Sequence, residues 1–358
     1  MGYRVVVVGA TGNVGTALLR ALERDGGHDV GGIARRLPPG DAPYRGVDWH
    51  DIDISGGADA VGRLTKVFEG ADHVVNLAWA FQPGRDVEYL KAVGVGGLEA
   101  VLDAARMAGV PHLVHMSSVG AYSRSERGVE VDEAWPTDGI PSLPYSLHKA
   151  EAERVLDRHD RSGAGPVCCR LRPGLIMQRE AGSGLLRYGV PAWLPRAALD
   201  LVPLLPLDRT FAVPVVHTDD VATAIVSALH ARASGAFNLA APSPLTPTII
   251  AEVLRARTVH VPWQLLRAAV ATGWQLHLER LDPGWIDLAF SVPLLDCGRA
   301  ARELDWAPVL DAPAVLREAV TGMRDGLSTT SAPMRRRSVV DELVTAARDG
   351  SITRRRYP

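Results

Sequence analysis

Short apolar runs rich in β-branched residues alternate with longer amphipathic segments through the first half of the chain. The strand-like runs occupy residues 4–8, 30–34, 47–52, 73–78, 112–117 and 167–171. The helical segments occupy residues 14–24, 61–68 and 88–108, and a further one follows Pro144. Strands that alternate with helices in this way are typical of a parallel sheet covered by helices on both faces. The pattern therefore predicts an α/β fold with a doubly wound parallel sheet.

Beyond residue 175 the alternation becomes looser, and proline and tryptophan become frequent. Strand-like segments return between residues 211 and 240. We therefore expect residues 1–175, with returning elements at about 211–240, to form the sheet domain. Residues 176–326 are expected to form a smaller, interleaved C-terminal lobe that binds the substrate.

The C-terminal tail, residues 327–358, differs from the rest of the chain in charge. From residue 331 onward it contains seven arginines against three acidic residues. Blocks of like charge are usually solvated, although some serve as interaction arms. We expect a basic, flexible tail that the chemistry does not require.

Composition and charge narrow the classes of function. The chain has 358 residues, of which 47% are hydrophobic, and its formal net charge of −2 gives no general basic surface, so no nucleic-acid partner is expected. The apolar stretch at 190–207 is interrupted by four prolines and two charged residues, which argues against a membrane span. The three cysteines have neither disulfide nor zinc-site spacing, which favours a cytoplasmic location and no metal.

A glycine-rich turn joins the first predicted strand to the first predicted helix. Glycines at such a turn let the backbone approach a pyrophosphate, and the N–H groups and dipole of the helix meet its charge. The setting predicts a Rossmann-type dinucleotide site. The expected contacts are Gly9, Thr11, Gly12, Asn13, Val14 and Gly15.

The end of the second strand indicates which dinucleotide is preferred. An acidic residue here would bind the ribose 2′-hydroxyl of NAD, but the sequence has Arg35 and Arg36. Guanidinium groups suit the 2′-phosphate of NADP, although a solvated arginine pair is the alternative. NADP is therefore the expected cofactor, with NAD as the alternative. Asp51 and Ile52, after the third strand, are candidates for contact with the adenine.

Tyr145 and Lys149 lie four residues apart and share one face of a predicted helix. An ammonium beside a phenol favours the phenolate and lowers its pKa, so that tyrosine can exchange a proton near neutral pH. Upstream, Ser117 and Ser118 end a strand and offer a hydroxyl to a substrate oxygen.

The motifs occur in an order that resembles the extended short-chain dehydrogenases/reductases, also called the NAD-dependent epimerase/dehydratase family. The resemblance covers roughly residues 3–325. It rests on Gly9 to Gly15, Asn76-Leu77-Ala78, Ser117-Ser118 with Tyr122, Tyr145-x-x-x-Lys149, Arg170 to Gly174, Val216 to Val221, Phe237 to Ala240 and Leu304 to Pro308. Together these motifs are far more specific than any one of them.

The resemblance implies roles for individual residues. Tyr145 would be the catalytic acid/base, Lys149 would also hold the nicotinamide ribose, and Ser118 would polarise the substrate. The cofactor would also contact Leu77, Ala78 and Pro173. Asp219 and Asp220 would cap the helix that begins at Val221. Residues 89–94 lack the helix asparagine that the family usually has, so the family's water relay would be without that residue here.

Three functions are compatible with these residues: an oxidoreductase, a nucleotide-sugar epimerase or dehydratase, and a non-catalytic sensor of the dinucleotide. Tryptophans in the second lobe favour an oxidoreductase acting on a mainly apolar small molecule. Convergence of the lobe arginines on the pocket would instead favour a diphosphate-bearing sugar. The sequence leaves a homodimer open. The tryptophans are Trp193, Trp263, Trp274 and Trp285, and the arginines are Arg187, Arg196 and Arg209.

Overall fold

The protein is described by a computed structural model at residues 2–80, 86–184, 203–276 and 281–336. In chain order the strands are β1 (Arg4–Val8), β2 (Asp29–Ala34), β3 (Asp48–Asp51), β4 (His73–Asn76), β5 (His112–Met116), β6 (Glu130–Val131), β7 (Val167–Pro173), β8 (Leu175–Met177), β9 (Leu204–Leu207), β10 (Val215–His217), β11 (Gly235–Leu239), β12 (Arg257–His260) and β13 (Leu294–Leu295). Seven of these strands form the main sheet in the order β11-β7-β5-β4-β1-β2-β3, and every neighbouring pair is parallel. The predicted doubly wound parallel sheet of the Rossmann type is confirmed.

The helices connect and cover these strands. In chain order they are α1 (Asn13–Asp25), α2 (Gly57–Phe68), α3 (Val87–Lys91), α4 (Gly97–Met107), α5 (Pro144–Ser162), α6 (Thr218–Ala231), α7 (Pro247–Leu254), α8 (Trp263–Gln275), α9 (Gly284–Ala289), α10 (Gly298–Leu304) and α11 (Ala312–Asp325). None of the helices in the described ranges has the length and apolar character needed to cross a membrane.

The central strand β1 shows why the sheet is covered on both faces. Val5 and Val7 point into a core formed with α1 and α6, whereas Val6 and Val8 point into a core formed with α2, α4 and α5. All four valines are 0% exposed. Burial of one valine side chain contributes about 1.5 to 3 kcal/mol, so the continuous apolar run strongly stabilises the central position of β1 in the sheet.

The structure corrects two predicted helices. The helix expected at 88–108 is interrupted by a π-helical segment, Ala92–Gly96, between α3 and α4. The expectation that Asp219 and Asp220 cap a helix starting at Val221 is wrong, because α6 begins at Thr218. Its cap is His217, whose Nδ1 accepts a hydrogen bond from the Asp219 N–H at 3.2 Å.

The second half of the chain departs from prediction at two places. One of the strands expected between residues 211 and 240 is β10, which pairs with β8 outside the main sheet. The prediction of a flexible tail is wrong for residues 327–336, because Ser331 and Met334 are buried. Residues 337–358, and residues 185–202 with Arg187, Trp193 and Arg196, lie outside the described ranges.

Candidate active site

The turn after β1 has the geometry that a phosphate loop requires. Gly9 has φ +85°, and a Cβ atom there would lie 2.8 Å from the Ala78 nitrogen, so glycine lets the loops after β1 and β4 approach each other. A Cβ at Gly15 would lie 2.5 Å from the Gly9 oxygen, so glycine also lets α1 pack on the turn. At Gly12 the nearest atom would be the Gly9 oxygen at 3.4 Å, an ordinary contact. A ligand can therefore approach the turn at Gly12.

The amino end of α1 fits a pyrophosphate. Gly12 is the N-cap and supplies no side-chain hydrogen bond, so the N–H groups of the first turn remain without a side-chain cap. Such groups, together with the helix dipole, favour an anion at this position. The Asn13 side chain is held by Gln178, whose Nε2 donates to Asn13 Oδ1 at 2.6 Å. Gln178 is 1% exposed, and no sequence motif indicated it.

The other predicted cofactor residues lie at the same carboxyl edge of the sheet. Arg35 and Arg36 are exposed just after β2, and the Arg35 guanidinium donates to the Tyr89 hydroxyl. Asp51 ends β3 and forms an ion pair with Arg63 at 3.4 Å, whereas the neighbouring Ile52 is buried. In open α/β sheets, ligands bind outside the carboxyl ends of the strands. The arrangement fits an adenosine phosphate between the ends of β1, β2 and β3.

The remaining predicted cofactor contacts are Leu77 and Ala78, which follow β4, and Pro173, which ends β7. The Leu77 N–H donates to the Val8 oxygen at 2.9 Å, which ties the end of β4 to β1. The Ala78 N–H donates to Asn76 Oδ1 at 3.3 Å. Pro173 is the last residue of β7 and is buried. All three stand at the edge where the nicotinamide half of a dinucleotide would continue from the pyrophosphate.

Tyr145 is brought to Ser118 by the start of α5. The helix begins with Pro144, whose fixed φ suits the first helical position, so Tyr145 stands in the first turn. Ser118 follows β5 in extended conformation, and its Oγ accepts a hydrogen bond from the Gly120 N–H at 3.0 Å. A Cβ at Gly120 would lie 3.0 Å from Tyr145 Cε1, so the phenol ring lies against this loop.

The predicted direction of the Tyr145 pKa shift is wrong for this structure. Burial raises the pKa of Tyr145, and a hydrogen bond with Ser118 offsets only part of that effect. Lys149 lies one turn further along α5, and its Nζ donates to the Met116 oxygen at 2.9 Å. Burial also lowers the pKa of Lys149 to about 7, although Glu153 opposes that shift. The lysine is therefore tied to the end of β5, and desolvation decides the pKa of the phenol.

Two tryptophans flank Tyr145. Trp79 meets the phenol ring edge to face, with centroids 6.3 Å apart, and Trp285 lies 5.0 Å from it on a tilted plane. The Trp79 ring centroid is also 3.4 Å from Lys149 Nζ. A Cβ at Gly94, in the π-helical segment, would lie 2.9 Å from the Trp79 ring, so glycine there makes room for the indole.

Not every predicted tryptophan belongs to this site. Trp263 stacks on Phe290 at 5.8 Å, and the Arg127 guanidinium lies 5.5 Å from the Trp263 ring. Trp285 is thus the lobe tryptophan for which the described residues show a contact with Tyr145. Of the three arginines whose convergence on the pocket would favour a diphosphate-bearing sugar, Arg209 lies in the described ranges, and it is exposed.

A buried charge network lies directly beneath the site. Glu153, one turn after Lys149, accepts hydrogen bonds from Ser117 Oγ at 2.5 Å and from Arg172 Nε and Nη2 at 2.9 and 2.8 Å. Arg170 Nη1 reaches the same carboxylate at 3.1 Å. Burial raises the pKa of Glu153, but Arg172, Ser117 and Arg170 outweigh it and lower the pKa to about 2. The network joins α5 to the ends of β5 and β7, and sequence reasoning did not assign Glu153 a role.

Known proteins match the chain in sequence and in fold. The family model described as "NAD dependent epimerase/dehydratase family" matches residues 5–240. A 3 beta-hydroxysteroid dehydrogenase/Delta 5-->4-isomerase of Mycobacterium tuberculosis is 26% identical over 340 residues, which are 88% of this chain and 89% of that protein. An L-arabinose 1-dehydrogenase (NAD(P)(+)) of Haloferax volcanii is 36% identical over 115 residues, 32% of this chain, and the match spans only 41% of that protein's length.

Among solved structures, a UDP-glucose-4-epimerase from Stenotrophomonas maltophila with bound NAD superimposes with a TM-score of 0.67. The identity is 21%, and the match covers 90% of this chain and 98% of that one, so the likeness concerns the fold. The family model, in contrast, covers about two thirds of the chain, including the glycine turn, Ser118, Tyr145 and Lys149. The chain therefore belongs to the NAD-dependent epimerase/dehydratase family and is an enzyme that uses a nicotinamide dinucleotide.

Proposed function

We propose that this enzyme is an NADP(H)-preferring oxidoreductase that interconverts a ketone and a secondary alcohol on a mainly apolar small molecule. The observation that carries the proposal is the aromatic enclosure of Tyr145 by Trp79 and Trp285, at 6.3 and 5.0 Å. Aromatic faces around a proton-transfer group favour apolar substrate surface, whose burial contributes roughly 25 cal/mol per Å².

In this mechanism the chain supplies the proton transfer and the orientation. Ser118 donates a hydrogen bond to the substrate oxygen, while its own Oγ is fixed by the Gly120 N–H. Tyr145 takes the hydroxyl proton during alcohol oxidation and returns it to the carbonyl oxygen during reduction. Lys149 would hold the nicotinamide ribose of the dinucleotide and place a positive charge near the phenolate, and the bound group would supply hydride transfer at the substrate carbon.

The proposed cofactor contacts are those predicted from the sequence. First-turn N–H groups of α1 receive the pyrophosphate, and the exposed Arg35 and Arg36 receive the 2′-phosphate. NAD, which lacks that phosphate, is the alternative cofactor. The contacts in this proposal are Gly9, Thr11, Gly12, Asn13, Val14, Gly15, Arg35, Arg36, Asp51, Ile52, Leu77, Ala78, Tyr145, Lys149 and Pro173. We also propose a cytoplasmic location, because Cys168, Cys169 and Cys297 are free thiols. The homodimer remains a hypothesis.

The test is a screen that follows NADPH oxidation and NADP reduction over apolar ketones and secondary alcohols. We expect Tyr145→Phe to abolish turnover at unchanged cofactor affinity, because only the ionisable oxygen is removed. Tyr3→Phe is the matched control, since Tyr3 packs against His73 at the opposite edge of the sheet. Substantial turnover by Tyr145→Phe would refute the acid/base assignment.

The second candidate is a nucleotide-sugar epimerase or dehydratase, which the fold of the UDP-glucose-4-epimerase neighbour favours. Such a substrate needs cationic groups for its diphosphate. Calorimetry with UDP, GDP and dTDP in the presence of NADP separates the two candidates. Micromolar binding of any of these would overturn the apolar-substrate proposal, and absence of binding would support it.

A further inference from the structure

We propose that residues 326–336, which we call the strap, hold residues 9–12, the dinucleotide loop between β1 and α1, in its binding conformation and so set the affinity for the cofactor. The strap follows α11 and folds back across the molecule to the turn after β1. Its separation from that turn exceeds 300 residues in sequence, so no local pattern could reveal the contact. The proposal rests on the family's cofactor and is independent of the substrate proposed above.

The strap starts from a fixed point. Gly326 ends α11 in the left-handed region, with φ +63°. Ser183 then anchors the first residues: its N–H donates to the Leu327 oxygen at 3.0 Å, and its Oγ donates to the Gly326 oxygen at 3.1 Å. Further along, the Thr329 N–H donates to the Met334 oxygen at 3.1 Å, which closes a turn within the strap.

Ser331 connects this turn to the dinucleotide loop. Ser331 is 0% exposed, and its Oγ donates to the Thr11 oxygen at 2.9 Å. The Thr11 oxygen belongs to the same peptide group as the Gly12 N–H, which donates to the Gly9 oxygen at 3.1 Å. That peptide group is thus held at both ends, immediately before α1 begins at Asn13. Its orientation fixes where the first-turn N–H groups of α1 point.

Three further contacts support the same arrangement. Thr16, in the second turn of α1, donates through Oγ1 to Met334 Sδ at 3.7 Å, and Met334 is 3% exposed. The Tyr44 hydroxyl donates to Thr329 Oγ1 at 3.2 Å and lies 3.1 Å from Thr16 Oγ1. The strap therefore contacts both the loop and the helix whose amino end receives the pyrophosphate.

Removal of the Ser331 hydroxyl leaves the buried Thr11 carbonyl without this donor, and a glycine-rich loop then has many alternative conformations. Binding must select one of them, so the apparent dissociation constant rises by the inverse of the competent fraction. Because NADPH and NADH share the pyrophosphate, both cofactors should be affected equally. A role in stability alone would change the melting temperature and leave both affinities unchanged.

The experiment compares full-length Ser331→Ala with full-length Ser328→Ala, which deletes the same atom from a partly exposed position of the strap. Dissociation constants for NADPH and NADH are measured by nicotinamide fluorescence, together with the melting temperature of the free protein. We expect Ser331→Ala to weaken both cofactors about tenfold. Ser328→Ala should stay within twofold of the wild type.

A second variant keeps the test decisive if Ser331→Ala folds poorly. Tyr44→Phe removes one hydroxyl contact with the strap and conserves the ring, and we expect it to weaken both cofactors two- to threefold. Unchanged affinities in these two variants would overturn the proposal and leave the strap a structural brace. Loss of NADPH affinity alone would also overturn it, because the strap would then act at the 2′-phosphate.

Discussion

Replacement of Glu153 by glutamine tests how far the charge network beneath the active site stabilises the fold. The Glu153 carboxylate is fully buried and accepts hydrogen bonds from Ser117, Arg170 and Arg172 at 2.5 to 3.1 Å. Glutamine conserves the volume but removes the negative charge. Its amide NH₂ group also replaces an oxygen that accepts from an arginine, and a guanidinium group can only donate. The variant therefore leaves two buried guanidinium groups without their shared counter-charge.

The expected loss can be worked out from the pKa of Glu153. Burial raises this pKa, but the arginines and Ser117 bring it down from 4.5 to about 2. One pKa unit corresponds to about 1.4 kcal/mol, so the surroundings favour the ionised form by about 3 kcal/mol. Removal of one partner of a buried ion pair costs about 3 to 5 kcal/mol. We expect the free energy of unfolding of Glu153→Gln to fall by a similar amount at pH 7.

The sign of the pH dependence follows from the same shift. The folded-state pKa lies below the unfolded value, so the stabilisation is complete above pH 4.5 and is lost as the pH falls towards 2. The difference between wild type and Glu153→Gln should therefore be constant from pH 7 to about 5.5 and shrink below 4.5. Urea unfolding at several pH values measures it.

Glu151→Gln is the matched control on the same helix. Glu151 pairs with Lys91 at 3.0 Å, and its side chain is 32% exposed. An exposed ion pair of this kind contributes about 0 to 1 kcal/mol. If Glu153→Gln loses no more stability than Glu151→Gln, or if its deficit does not depend on acid pH, the reasoning about the buried network is wrong.

Three further predictions concern the cofactor, the lysine and acid stability. The double variant Arg35→Ala, Arg36→Ala should weaken NADPH binding at least tenfold, because a charge-assisted contact contributes about 1.5 to 3 kcal/mol. The dissociation constant for NADH should change little. Equal losses of NADPH and NADH affinity in fluorescence titrations would contradict this prediction. Trp79→Leu removes the aromatic ring that lies 3.4 Å from Lys149 Nζ and favours the charged form of the lysine. Lys149 should then lose its proton at lower pH, so the alkaline limb of the pH–rate profile should move to lower pH. An unchanged profile would contradict this prediction. His73 and His115 are buried, and desolvation lowers their pKa values from 6.5 to about 4 and about 3. Because the unfolded chain takes up these protons first, each histidine should lower the free energy of unfolding by about 2 kcal/mol as the pH falls from 7 to 5. Urea titrations should show a weaker pH dependence in His73→Asn, and an unchanged dependence would contradict the prediction.

The parallel sheet was predictable because local physics and the final fold agree. Uninterrupted valines in β1 suit a strand buried on both faces, and a glycine turn followed by a helix needs only neighbouring residues. The spacing of Tyr145 and Lys149 is likewise a property of one helix. The π-helical interruption at Ala92–Gly96 was not predicted. Glycine is needed at position 94 because the Trp79 ring packs there, and that contact between separate elements is not visible in the local sequence.

The sequence by itself determined the sheet, the glycine turn and the residue types available for proton transfer, since these depend on periodicity and short spacings. Tertiary structure alone decided the direction of the Tyr145 pKa shift, because burial of the phenol and its hydrogen bond with Ser118 arise only after folding. It also decided that Gln178 and Ser331 brace the dinucleotide loop. These contacts join residues more than 150 positions apart, which no local pattern links. For the region of Ser331, charge and composition alone indicated a solvated tail.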